Sequence, residues 1–377
     1  MNRLAFLAFL GLAACSSSSP SAGPATTDGP DGGKSSTSPS CTEGTVSIAL
    51  TATYLTLGNS KQLFGHDVLD VVTTSTGPSV LVRQQQADGS VALSFADGKG
   101  IVELTRVPNI RTSSGGTYSL LAAAVAMNDK RCAVWSPANG NLGFACEGAA
   151  AEDSGLKMGT EHRLVVVSTT DGRLKVVGQN DFAAYGVSER SAAGRWSDVP
   201  KYLSSITWGE DAVAYGGDAV SCVTSGSGVS LDFHDELSSS TTQTTSSVCR
   251  LAVGSAGLHV LNGDYYGVVP IASLGQHNGT FALQQTTAIA SNDQLIALIL
   301  ANDKPMAIVA KGGDALTAVP LTGGGAAIPL ETKTAQGVHF DPTVNALRWV
   351  TSSIDTANAG DTAPESLTVS TRCTTTW

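Results

Sequence analysis

The chain is 377 residues long, 42% hydrophobic and 14% charged, with 41 Gly and 14 Pro, so it carries too much apolar material to be disordered along most of its length and enough for one large domain or two ordinary ones. Its 32 acidic residues outnumber 22 basic ones for a net charge of -10, so the positive field that holds a phosphate backbone is missing and nucleic acid is not expected as a partner.

Residues 1–14 read as an export signal. Asn2 and Arg3 precede an uncharged run from Leu4 to Leu12, the size of a signal-peptide apolar region and too short to cross a bilayer as a helix. The next residues, Leu12-Ala13-Ala14-Cys15, resemble the lipobox of bacterial lipoproteins: a hydrophobic residue and two small ones before a cysteine. The resemblance covers the first 15 residues only, and it implies cleavage before Cys15, a diacylglyceryl group on the Cys15 thiol and acylation of the freed amine. Two or three acyl chains hold a protein on a membrane stably where one does not. The competing reading is an ordinary secretory peptide with a stray cysteine. In the family's sorting pattern an Asp after the cysteine retains the protein at the inner membrane, and Ser16 stands there, which implies delivery to the outer membrane or cell surface.

From Ser16 to Ser40 the chain is Ser, Pro, Gly, Thr and Asp with almost no large apolar residue, so residues 15–40 are expected to form a lipidated, disordered tether. As a flexible coil it would span about 25 to 30 Å.

The globular part, residues 41–377, alternates short Val/Ile/Leu/Ala-rich runs with Gly/Asn/Asp turns, and no stretch has a helical period, which predicts an all-β domain. An acidic turn recurs in chain order at Asp88-Gly89, Asn128-Asp129, Asp171-Gly172, Glu210-Asp211, Gly263-Asp264, Asn302-Asp303 and Asp341-Pro342, in steps of 41, 42, 40, 53, 39 and 38 residues. Two of these units, Ala126–Val134 and Leu300–Ile308, align without a gap and share four of nine residues. A second turn follows most of the first ones, as at Asp97-Gly98 and Asn139-Gly140. Seven repeats of about this length predict a seven-bladed β-propeller, with a six- or eight-bladed ring or a pair of β-sandwiches as alternatives.

Along this domain Cys132 and Cys146 flank the turn at Asn139-Gly140, so antiparallel strands leaving it would bring them side by side. The segment Tyr185 to Tyr202 reads as a long loop between the third and fourth units and carries Tyr185, Arg190, Trp196 and Tyr202. These residue types dominate binding hot spots, which makes the segment a candidate contact for a protein or glycan of the envelope; the competing reading is packing over blade edges. Cys222 and Cys249 bracket a Ser/Thr-rich stretch that reads as an insertion and accounts for the long step of 53. Tyr265-Tyr266 is a weaker contact candidate, while Trp135, Trp208 and Trp349 sit in apolar runs and read as core. Six cysteines besides Cys15 in an exported chain predict three disulfides, with Cys132 to Cys146, Cys222 to Cys249 and, closing the ring, Cys41 to Cys373.

Motifs for chemistry are missing. The six histidines, His66, His162, His234, His259, His277 and His339, are scattered with no metalloprotease spacing, no cysteine pair has the separation of a zinc knuckle, and neither a calcium loop nor a phosphate loop occurs, so no metal or cofactor is expected. His234-Asp235-Glu236 is the densest polar cluster and reads as a solvated loop tip, since neighbours on an extended chain point opposite ways. A cell-surface binding or scaffolding protein is therefore expected. The alternative is an extracellular hydrolase or lyase whose acid and base converge from several blades at a central funnel, leaving no local motif.

Overall fold

The computed structural model describes residues 40–377 apart from 58, 109–119, 138–139, 159–162, 170, 180–184, 200–206, 216–217, 226–227, 233–236, 242–247, 271–280, 291–292, 312–314 and 358–359. The described residues form strands and turns without a helix, and the strands assemble seven antiparallel sheets, the blades of a β-propeller.

Blade 1 is built from β3 (Asp67–Thr74), β4 (Gly77–Gln85), β5 (Val91–Asp97) and β6 (Gly100–Val107), and blade 2 from β7 (Leu120–Met127), β8 (Lys130–Pro137), β9 (Asn141–Cys146) and β10 (Glu152–Lys157). Blade 3 is β11 (Val165–Ser168), β12 (Leu174–Gln179), β13 (Tyr185–Arg190) and β14 (Trp196–Val199), and blade 4 is β15 (Thr207–Tyr215), β16 (Asp218–Ser225), β17 (Gly228–Asp232) and β18 (Leu237–Thr241). Blade 5 is β19 (Cys249–Gly254), β20 (Gly257–Asn262), β21 (Tyr265–Pro270) and β22 (Gln284–Gln285), and blade 6 is β23 (Gln294–Ala301), β24 (Lys304–Lys311), β25 (Ala315–Pro320) and β26 (Ile328–Glu331). Blade 7 draws β27 (Gln336–Asp341), β28 (Ala346–Ile354) and β29 (Thr362–Cys373) from the C-terminus, while β1 (Gly44–Leu57) and β2 (Ser60–Phe64) from the N-terminus complete its outer side. The first strand of every blade touches the first strand of the next, and β27 returns to β3, so the seven inner strands close a ring around a central channel.

Strands in the middle of a blade are buried on both faces, which is why β5, β8 and β24 read as near-continuous apolar runs rather than as alternations. β20 is buried at all six positions, and β8 at every position after Lys130. Every interface between neighbouring blades holds a hydrophobic cluster: Ile299, Met306 and Ile308 of blade 6 pack on Leu347 and Trp349 of blade 7, and Val350, Leu367 and Val369 of blade 7 pack on Val71, Val80 and Val82 of blade 1. Trp135 and Trp349 are core residues, as expected; the side chain of Trp208 lies outside the described residues. Trp135 lies flat across its register partner Gly143, where a Cβ would come within 2.1 Å of the ring.

Two turns show how local chemistry sets the hairpins. Asn128 and Asp129 have φ of 49° and 61°, and Asn302 and Asp303 have 52° and 62°, which is the doubly left-handed two-residue turn that Asn and Asp tolerate best among residues other than Gly. The same turns clasp neighbouring blades: Asp129 accepts the Ser75 amide at 2.6 Å and its hydroxyl, and Asp303 accepts the Ser255 hydroxyl at 3.3 Å. Beside the first turn, buried Arg131 reaches Asp97 at 2.7 Å and Ser79 at 3.1 Å in blade 1 while also pairing with Glu147 in its own blade.

All three expected disulfides are present. Cys132 and Cys146 are register partners on β8 and β9, Cys222 on β16 is tied to Cys249 on β19 across the interface of blades 4 and 5, and Cys41 with Cys373 locks β1 to the C-terminal strand across 332 residues of chain.

The register of the repeat needs correction. Asn128-Asp129, Asp171-Gly172, Asn302-Asp303 and Asp341-Pro342 join first strands to second, but Asp88-Gly89 and Gly263-Asp264 join second strands to third, and Glu210-Asp211 lies inside β15. Both kinds of hairpin favour Asp, Asn and Gly, so composition alone does not separate them. The step of 53 therefore reflects a change of register; the Ser/Thr-rich stretch is no insertion but supplies β17 and β18 of blade 4.

Candidate functional site

The seven inner strands enclose a channel cavity of about 460 Å³. Its wall is mostly Ala, Val, Leu and Ile, and its ionisable residues are Asp70 on β3, Arg163 just ahead of β11, Asp211 on β15, Arg250 on β19 and His339 on β27.

Asp70, Asp211 and Arg250 occupy equivalent places, each four residues before the last residue of its strand. An inner strand has one edge unpaired within its own sheet, and its amides and carbonyls need partners. In β3 and β15 the register with the second strand slips beside the Asp, between Val68 and Asp70 and between Trp208 and Ala212. Such bulges re-aim side chains. Both carboxylates use this freedom in the same way. Asp70 accepts the Val71 amide at 2.8 Å and, across the blade boundary, the Ala124 amide at 2.9 Å. Asp211 accepts Ala212 at 3.0 Å and, across the boundary, Leu251 at 2.8 Å. Arg250 serves the carbonyls, donating to Ile296 of blade 6 at 2.8 Å, to Cys249 of its own blade at 2.8 Å and to Glu210 of blade 4 at 3.4 Å.

Burial pushes the Asp211 carboxyl up from its ordinary value, against the pull of the Arg163 and Arg250 guanidiniums, and lowers the basicity of Arg250. It also depresses His339, with Asp70 and Asp341 opposing that shift and Arg348 adding to it. Among the described residues, no ionisable side chain of the channel is hydrogen-bonded to the side chain of another.

The residues picked out in sequence fall elsewhere. Within Tyr185 to Tyr202, residues 185–190 and 196–199 are strand rather than loop: Tyr185 opens β13, Arg190 ends it, Trp196 opens β14, and Tyr202 lies outside the described residues. Arg190 pairs with Glu152 of blade 2 at 2.7 and 2.8 Å, lies 4.6 Å above the Phe144 ring and holds the Glu152 carboxyl below the usual carboxylate range. Trp196 packs edge-on against the same ring at 6.3 Å. These contacts join blades 2 and 3, and Met127, Phe144, Cys146, Glu152 and Arg190 line a groove there of about 560 Å³. Tyr265 is half-buried in the core, and Tyr266 meets His259 at 2.6 Å. His234-Asp235-Glu236, His162 and His277 lie outside the described residues, as does Cys15.

Sequence reasoning missed the channel residues, although a signal was present: Asp70 and Arg250 interrupt otherwise apolar runs, and Asp211 was assigned to a turn. It also missed a buried acid and imidazole pair at the seam of the ring. Glu365 of β29 accepts the His66 amide at 2.8 and 3.1 Å and lies 2.7 Å from its Nδ1, with side-chain exposures of 1% and 6%. That pair has the makings of general acid and base but is sealed from solvent, and it bolts the link from blade 7 to blade 1.

No known family profile matches this chain, and no curated protein does. Solved structures similar to it include a streptogramin B lyase (10% identity, TM-score 0.47, covering 85% of this chain and 98% of that one) and a polysaccharide lyase (12%, 0.49, 87% and 99%). A structure of prolyl endopeptidases matches 76% of this chain and 46% of its own length at 11% identity and a TM-score of 0.45.

Proposed function

We propose that this chain is a binding or scaffolding protein of the bacterial envelope, lipid-anchored through Cys15, with an envelope protein or a glycan as its partner. One observation carries the reading: the carboxylates of the channel and Arg250 are committed to main-chain groups of adjoining blades, so they are occupied in holding the ring and are not gathered around a reacting atom. A rigid ring with disulfides across one blade boundary and at its closure suits a platform, and three disulfides suit an exported chain.

The enzyme alternative, a hydrolase or lyase acting on an extracellular polymer or small ester, would need His339 beside Asp70 as its acid and base. The test is to recover whatever the chain from residue 40 onward captures from envelope extracts and to ask whether it is altered. The binding reading expects saturable capture, with the ligand recovered chemically unchanged and His339→Asn as competent as wild type. Turnover of an ester or polymer that disappears in His339→Asn would overturn it.

A further inference from the structure

Beyond that surface role, we infer that the central channel is itself a binding site for a small anionic amphiphile, a molecule with an apolar body and one carboxylate or sulfonate end, with Arg163 receiving the charged end.

Three observations carry this. The cavity, about 460 Å³, falls within the roughly 300–1,000 Å³ of small-molecule sites and is too small for a macromolecule. Its described wall offers one phenyl ring, Phe340, and no Trp, Tyr, Ser, Thr, Asn or Gln, so it has few stacking faces and none of the hydroxyl or amide partners that a sugar uses, while Val253 is left 42% exposed within it. Burying that surface under an apolar ligand is favourable.

Charge decides the polarity of the ligand. Asp70, Asp211 and Arg250 have main-chain partners, whereas Arg163 is exposed at the lip of the cavity with no hydrogen bond or ion pair to any described residue. A guanidinium that lies in the field of Asp211 but has no hydrogen-bond partner among the described residues still has its donors open, and beside an apolar wall it matches a carboxylate or sulfonate, which it can grip with two parallel hydrogen bonds. Asp70 and Asp211 each already accept two amides, which leaves Arg163 as the charged group of the channel without a hydrogen-bond partner among the described residues.

The test uses the chain from residue 40 onward, a compact body closed by its own Cys41 to Cys373 bridge. Titration with 8-anilinonaphthalene-1-sulfonate, an anionic fluorescent probe, is expected to saturate at one site, with dodecanoate displacing it and dodecylamine failing to. Arg163→Gln, at a position outside any strand, should weaken probe binding by about tenfold, the loss expected for one charge-assisted contact. Ala214→Trp, which fills the channel at an exposed alanine, should abolish it, and Ala297→Phe serves if that variant fails to fold. Saturable binding unchanged by Arg163→Gln or by the filling variants, equal displacement by the amine, or no saturable binding overturns this inference and leaves the surface binding role standing. Catalytic turnover of an added ester or polymer would sink that role instead.

Discussion

At the residue scale, burial sets the two perturbed imidazoles. His259 and His339 are both held below the ordinary imidazole value of 6.5 by desolvation. A base whose folded pKa is depressed contributes stability that is present above its unfolded pKa and is lost as pH falls through the folded one. Chemical unfolding across pH 7 to 5 should therefore show falling stability, and His259→Gln should flatten part of that slope; an unchanged slope in the variant would discount its burial. Trp196 supplies a second prediction. Because its ring fills the interface of blades 2 and 3 against Phe144, Trp196→Ala should destabilise by about 3 kcal/mol. Near wild-type stability with loss of partner capture would instead make it a contact residue. The hot-spot residue types at Tyr185 to Tyr202 were legible in sequence, but their use was not, because the aromatic and Arg chemistry that builds a contact surface also builds an interface between blades. Asp70 and Asp211 were illegible for another reason: their partners are main-chain amides 54 and 40 residues away, and main-chain amides leave no mark in a sequence.

At the element scale, ring closure rests on β1. It pairs with β29 from Gly44 opposite Thr371 to Thr53 opposite Thr362, and the Cys41 to Cys373 bridge joins the same two ends of the chain. Cys373→Ser should cost on the order of 2–5 kcal/mol in unfolding by denaturant, more than removal of the Cys132 to Cys146 bridge, whose loop spans only 14 residues. Equal losses for the two would mean that closure of the ring contributes nothing beyond an ordinary crosslink. The hairpin geometry of Ala126–Val134 and Leu300–Ile308 was fully legible, since an Asn-Asp pair between apolar runs has few other solutions. The order of strands within a blade was less so. Blade 4 hid its last strand because a run of Ser and Thr carries no apolar period by which a strand is recognised; β18 reads Leu-Ser-Ser-Ser-Thr.

At the scale of the whole molecule, the seven blades and the three disulfides followed from spacing and from the cysteine count, because a closed ring constrains both at once. The proposed anchor adds a prediction for intact cells: metabolic labelling with an alkyne fatty acid should tag the wild-type chain in the membrane fraction, and Cys15→Ser should be unlabelled. Label retained in that variant would remove the lipobox reading. What the channel charges do is the point on which the proposed function turns, and denaturant unfolding of Asp70→Ala and Asp211→Ala tests it most directly. If the two carboxylates hold adjoining blades together, each variant orphans two amides and should lose about 1–3 kcal/mol, with ligand capture at the surface retained. Wild-type stability in both variants would show that the carboxylates are not needed by the ring, and would contradict the account by leaving them free for chemistry.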